Sequence, residues 1–223
     1  MLMQKLLLLL LSLAAVPAVA TAATTATTDR LDEILAEMQK AGAELKTLAA
    51  NFEQTDHDFI LDEDDVSKGR LYLRLPGRIR FEHLSPAPKV LLIRDERVRL
   101  YNATSNQVME FDRGKGGSSG ADLLIGFGTN NDKIGENYDA SLVEETDEAV
   151  VLKLLPKPGS AASMFAYLEL TIAKKTWTPI RSVFHEHNRD HTVILFQNTI
   201  INGVLPNGAF ELDLPSNVEI IRN

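Results

Sequence analysis

The chain has 223 residues, 44% of them hydrophobic and 24% charged, with a formal net charge of −8 and no cysteine. That composition fits a globular protein with one domain of about 200 residues or two small ones, outside the disordered and collagen-like classes. The missing thiol excludes disulfides, Cys-ligated zinc, iron–sulfur clusters and a cysteine nucleophile. The acidic balance also argues against nucleic acid as a partner, because phosphate-backbone binding needs an excess of clustered Lys and Arg.

Met1 to Ala20 carries one cation, Lys5, then an apolar run from Leu6 to Ala15, then the small-residue triplet Ala18, Val19, Ala20. This is the three-part pattern of a secretory signal peptide, and the run is short for a membrane span. Cleavage after Ala20 removes Lys5 and no acid, which leaves 22 positive and 31 negative side chains and a net charge of −9. The expected product is an exported, soluble, acidic protein that lacks the cysteine a lipid anchor would need. Residues 21–28, small and of low complexity, read as a disordered leader, and 29–223 as a single domain.

From Asp29 the apolar residues Leu31, Ile34, Leu35, Met38, Leu45 and Leu48 recur at three- and four-residue steps, which predicts one amphipathic helix. After Ala49 the period becomes two. Strands are expected at Ala50 to Asp56, Gly69 to Leu75, Arg78 to His83, Val90 to Arg94, Arg97 to Tyr101 and Gln107 to Phe111. The alternation is plainest where Leu71 and Leu73 interleave with Arg70, Tyr72 and Arg74, and it predicts antiparallel sheet with one dry and one wet face. Gly and Ser interrupt at Lys115 to Asn131, where Ala121 to Phe127 reads as a short helix. Further strands are expected at Tyr138 to Val143, Val150 to Leu155, Tyr167 to Ala173, Ile180 to His185, Thr192 to Gln197 and Phe210 to Leu212.

None of the chemical motifs assembles a catalytic set, so no enzyme activity and no cofactor are expected. Gly116 to Gly120 matches the G-x-S-x-G pattern around Ser118, but the polar residues before it are not the buried strand a nucleophile elbow requires. His185, His187 and His191 are spaced for a zinc site or, equally, for a polar hairpin end. Asp62 to Asp65 lack the alternating ligands of a calcium loop and read as a solvated hairpin tip.

The order of segments carries more. A long amphipathic helix runs into Ala50-x-Phe52-x-Gln54, then Gly69-Arg70-Leu71-Tyr72-Leu73 with Pro76 and Arg80-Phe81-Glu82. Leu154-x-Pro156, Thr176-x-x-Pro179 and Phe210-x-Leu212-x-Leu214-Pro215 follow. Together these resemble the periplasmic outer-membrane lipoprotein carriers of the LolA type. The resemblance implies an unclosed, strongly curved antiparallel β half-barrel of about 11 strands with a helical lid over an apolar cavity. It implies a monomeric carrier of acylated lipoprotein or lipid, loaded by an inner-membrane donor complex and unloaded at an outer-membrane acceptor. The expected lipid-binding residues are Leu35, Met38, Leu45 and Leu48; Leu71, Leu73, Ile79, Phe81, Leu92 and Leu100; and Leu123, Leu124 and Phe127. Two alternatives stay open: a protein-binding sensor or scaffold on the same fold, and a carrier of a different lipid. One departure stands out: the family typically has Arg immediately before the proline matching Pro76, and this chain has Leu75 there, with Arg74 facing the other way.

Overall fold

The computed structural model describes residues 20–112, 127 and 134–222. The helix α1 (Ala20–Glu44) comes first, followed by β1 (Thr47–Asp58), β2 (Glu63–Arg74), β3 (Arg78–Ser85), β4 (Lys89–Arg94), β5 (Arg97–Asn102) and β6 (Gln107–Asp112). A one-turn helix, α2 (Ile134–Asn137), leads into β7 (Tyr138–Glu145), β8 (Ala149–Pro156), β9 (Phe165–Ala173), β10 (Thr178–Glu186) and β11 (His191–Ile201), and β12 (Glu219–Arg222) closes the chain.

All twelve strands belong to one sheet, in the order β12-β6-β5-β4-β3-β2-β1-β11-β10-β9-β8-β7. Two antiparallel meanders, β1 to β6 and β7 to β11, are therefore zipped together where β1 pairs with β11. The ends of the order, β12 and β7, do not pair with each other, so the sheet is curled and unclosed. Its concave face holds one continuous apolar cluster drawn from both meanders and from α1.

Local chemistry accounts for these elements. The two-residue connection Asp95-Glu96 between β4 and β5 has Asp95 at φ 54°, a conformation that Asp and Asn adopt more readily than most residues. Gly69 sits opposite Phe52 in the β1–β2 register, and the Phe52 ring lies over it. A Cβ at Gly69 would fall 2.0 Å from the Glu82 carbonyl oxygen and 2.3 Å from Phe52 Cζ, so only glycine fits there.

Eleven of the twelve expected strands form within a few residues of their predicted bounds, and three features differ. Leu45 and Leu48 are not helical: α1 ends at Glu44, Leu45 lies in the connection, and Leu48 is the second residue of β1. The leucine spacing continues through the helix end because both elements bury leucines in the same cluster. Helical backbone also covers 21–28, where a disordered leader was expected; the Ala and Thr run contains no Gly or Pro to stop it. Phe210 to Leu212 is not a strand but a turn and coil packed against the outer face, and the last strand is instead Glu219–Arg222, parallel to β6. The short helix expected at 121–127 and the Ser118 loop lie outside the described residues, apart from Phe127.

Candidate functional site

The concave face is built by strand parity. On β2 and β3, Leu71, Leu73, Ile79 and Phe81 are buried at 2% exposure or less and point to the same side. The second meander contributes Leu152, Leu154, Leu168, Leu170 and Ile172, each fully buried. Helix α1 crosses this surface and places Ile34 and Met38 on it at zero exposure, with Leu31 and Leu35 half-buried beside them. Phe127 packs edge-on to Phe196, ring centroids 4.8 Å apart. The face is thus closed, with helix side chains occupying the space above the sheet.

Of the residues expected to bind lipid, Leu35, Met38, Leu45, Leu48, Leu71, Leu73, Ile79, Phe81 and Phe127 meet in this one cluster. Leu100 is half-buried and pairs with Leu91, which also borders the cluster. Leu92 is a correction. It lies on the opposite, convex face with Val90, Leu205, Ala209 and Phe210. The run Val90-Leu91-Leu92-Ile93 is apolar at every position because the 205–212 segment covers β4 from outside, and a run without alternation hides its parity. Leu123 and Leu124 lie outside the described residues. The strand residues expected in the lining all came from the first meander and missed the β8 to β11 contribution, although Leu152 and Leu154, or Leu168 and Leu170, show the same alternation.

At one end the concave face becomes polar. Asp56 accepts hydrogen bonds from Gln54 Nε2 (2.9 Å) and from Thr192 Oγ1 (2.6 Å), and the His83 ring meets Gln54 Oε1 at 3.2 Å. Lys89, Asp65 and Ser67 join Gln54, Asp56 and His83 around a pocket of about 290 Å³. The His83 imidazole lies edge-on to Phe52 and Phe81, which are stacked with centroids 4.0 Å apart. Burial, followed by the nearby Lys89 charge, pushes its pKa below the ordinary histidine value, against the pull of Asp56. His83 is therefore neutral at pH 7, at the boundary between apolar and polar surface.

Among the described residues, the helix is tied to the sheet by an ion pair at Arg30 and by Asn202 Nδ2, which donates to the Glu44 carbonyl oxygen at its end at 3.1 Å. Arg30 donates from Nε (3.1 Å) and Nη2 (2.6 Å) to the two carboxylate oxygens of Glu145 on β7, and Lys174 adds a contact at 2.6 Å. Those bonds, Arg30 first, lower the Glu145 pKa to about 2. Leu75, where the resemblance implied an arginine, packs against the apolar cluster, and Arg74 is on the convex face with its guanidinium 5.4 Å from the Phe210 ring. The three histidines whose spacing allowed either a zinc site or a polar hairpin end do not converge. His185 and His191 stack on the convex face at 5.7 Å, while His187 faces the Ser163 carbonyl oxygen at 3.1 Å. No group of three potential metal ligands occurs among the described residues.

The family model described as "Outer membrane lipoprotein carrier protein LolA" matches residues 43–213, which begin at the end of α1 and run through the segment covering the convex face. The chain belongs to the LolA family. A curated protein of Chromohalobacter salexigens named "Outer-membrane lipoprotein carrier protein" is 24% identical over 197 residues, covering 85% of this chain and 90% of that one. Among solved structures, an uncharacterized conserved protein from Thermus thermophilus superposes with a TM-score of 0.57 at 18% identity, over 87% of this chain and 99% of that one. A chain of the Pseudomonas aeruginosa MucA/MucB complex superposes with a TM-score of 0.52 at 16% identity, over 82% of this chain and 61% of that one. These superpositions show that the curled sheet is a fold shared with both proteins. No helix among the described residues is long and apolar enough to cross a membrane.

Proposed function

We propose that the protein is a periplasmic carrier that takes lipoprotein acyl chains against its concave face and passes them between membranes, without catalysing a reaction. The observation that carries this reading is the seating of α1: a surface helix buries only a narrow apolar stripe, centred on Ile34 and Met38, on a broad leucine-rich face assembled from both meanders.

The energetics favour exchange of helix for cargo. Ile34 and Met38 gain about 1.5–3 kcal/mol each from burial, whereas an acyl chain of about 16 carbons costs about 12 kcal/mol to leave in water. Lifting α1 to admit a chain therefore replaces a weaker apolar contact by a stronger one. The ion pair that must break among the described residues is the one at Arg30, and exposed ion pairs oppose such motion weakly. The polar end around Gln54, Asp56 and His83 suits the amide-bearing end of an acylated peptide, with the chains running toward Leu71 and Leu73. The net charge of −9 expected after cleavage at Ala20 disfavours lingering on anionic membrane surfaces. Export follows from the signal-like first twenty residues.

The test is to mix the purified protein with a diacylated lipopeptide and follow the complex by native mass spectrometry, with hydrogen exchange across 29–44. One lipopeptide per chain and faster exchange in α1 are expected. Absence of any bound lipid or lipopeptide, with α1 exchange unchanged, defeats the carrier reading. A second reading is favoured by the MucA/MucB superposition: this fold also occurs in a protein solved as a complex with another protein. Under that reading an unacylated partner, not lipid, binds.

A further inference from the structure

Seven of the chain's twelve arginines lie on β2 to β5. The alternation that buries Leu71, Leu73, Ile79 and Ile93 in the concave cluster puts these arginines on the convex face. Four of them form one row across four neighbouring strands. Arg74 is directly opposite Arg78, Arg78 opposite Arg94, and Arg94 opposite Arg97. Like charges directly opposite one another destabilise a sheet. In a chain with net charge −8, carboxylates to relieve this row are not scarce.

The adjoining arginines show what relief looks like. Arg97 and Arg99 share Glu110 at 3.1 and 2.7 Å. Arg80 makes a two-pronged contact with Glu82 at 3.2 and 2.7 Å. By contrast, among the described residues Arg78 and Arg94 have no ion pair or side-chain hydrogen bond, and Arg74 has only the Phe210 ring. These three guanidiniums border one pocket of about 230 Å³, walled on the far side by residues 205–211, a turn with Gly208 at φ 73°. Glu211 is on that wall and forms no ion pair with them, so the pocket holds three positive charges against one negative. A second pocket of about 230 Å³ continues from it through Arg94 toward Arg97 and Arg99.

We propose that the pocket bordered by Arg74, Arg78 and Arg94 binds a phosphate group. Three planar guanidinium forks offer more donors than the two oxygens of a carboxylate can accept. The three or four oxygens and near −2 charge of a phosphate match both the donor number and the net charge of two. The phosphate comes from free phosphate or from a phospholipid headgroup. The pocket is on the opposite face of the sheet from α1, so the proposal does not depend on acyl-chain carriage.

The test is to titrate the purified protein at low ionic strength with inorganic phosphate and, separately, with dihexanoyl phosphatidylglycerol below its micelle concentration. Saturable binding is expected, weakened about tenfold or more by Arg78→Ala or Arg94→Ala, the loss typical of one charged hydrogen bond. Arg70→Ala, on the same face but outside the pocket, should leave it unchanged. Phosphate should raise the melting temperature of the wild type and not of R78A. R78A without phosphate should melt no lower than the wild type, because a repulsive contact has been removed. Tighter binding of the phosphatidylglycerol assigns the site to a lipid headgroup, and equal binding assigns it to phosphate itself. The proposal is overturned by absence of saturable binding, by an R70A effect as large as that of R78A, or by a glutamate-rich peptide binding more tightly than either phosphate compound.

Discussion

The two faces of one sheet are covered in different ways. On the concave side α1 rests on leucines from both meanders and is tied ionically through Arg30 to Glu145. On the convex side the 205–212 segment packs Leu205, Ala209 and Phe210 onto Val90 and Leu92 of a few strands, among arginines. That segment is continuous with the sheet at β11: the Asn202 amide donates to the Thr47 carbonyl oxygen of β1 at 2.8 Å, Thr47 Oγ1 donates to the Gly203 carbonyl oxygen at 2.8 Å, and the Arg80 guanidinium of β3 donates to the Glu211 carbonyl oxygen. A cover knitted into the backbone hydrogen-bond network is permanent structure, whereas a cover held by apolar side chains and an exposed ion pair can be exchanged for another apolar body. The difference separates a removable lid from a fixed wall.

The strongest way to break the comparison is to remove the surface under the lid. Gly69→Ala should cost about 3 kcal/mol or more in urea denaturation, because the new methyl overlaps the Glu82 carbonyl and the Phe52 ring. It should abolish the lid's footing and the sheet's curvature together. Next come the covers themselves. Met38→Ala and Phe210→Ala should each cost about 3 kcal/mol, yet only M38A should change the rate of lipopeptide uptake, by loosening α1. Equal effects of the two on uptake would contradict the distinction between lid and wall.

Smaller effects follow from titration. The lowered His83 pKa means that its contribution to stability is full above the unfolded value of about 6.5 and is lost as pH falls through the folded value. Acidification from neutrality toward pH 5 should therefore loosen the polar end of the concave face, seen as a stability slope that disappears in His83→Gln. Glu145 behaves as a depressed carboxylate. Its contribution is full above the unfolded value near 4.5 and is lost only as pH falls toward about 2. The Arg30 tie should accordingly hold unchanged between pH 5 and 8. The smallest expected change in stability belongs to Arg30→Ala, a nearly exposed pair. Its signature is faster hydrogen exchange in α1, with a melting temperature close to that of the wild type.

Most of the strands were legible because antiparallel sheet with one dry face writes a period of two into the chain, as in Arg70 to Arg74 or Val150 to Leu154. That signal failed wherever both faces of a strand are covered, which is why Leu92 was placed on the wrong side. It failed again at α1's end, where Leu45 and Leu48 keep a helical spacing after the helix has stopped, since both elements feed one core. Phe210 and Leu212 alternate like a strand, but their apolar side chains pack on the sheet's outer face instead of joining its ladder.

The sequence by itself determined which side chains share a face, because the alternation of Cβ directions in a strand is a local property of the backbone. It could not determine that β1 joins β11, that Ile34 and Met38 close over leucines from both meanders, or that Arg74, Arg78 and Arg94 stand side by side in a chain of net negative charge. Those are matters of strand pairing between residues far apart in the chain, and only the folded sheet brings them within reach of one another.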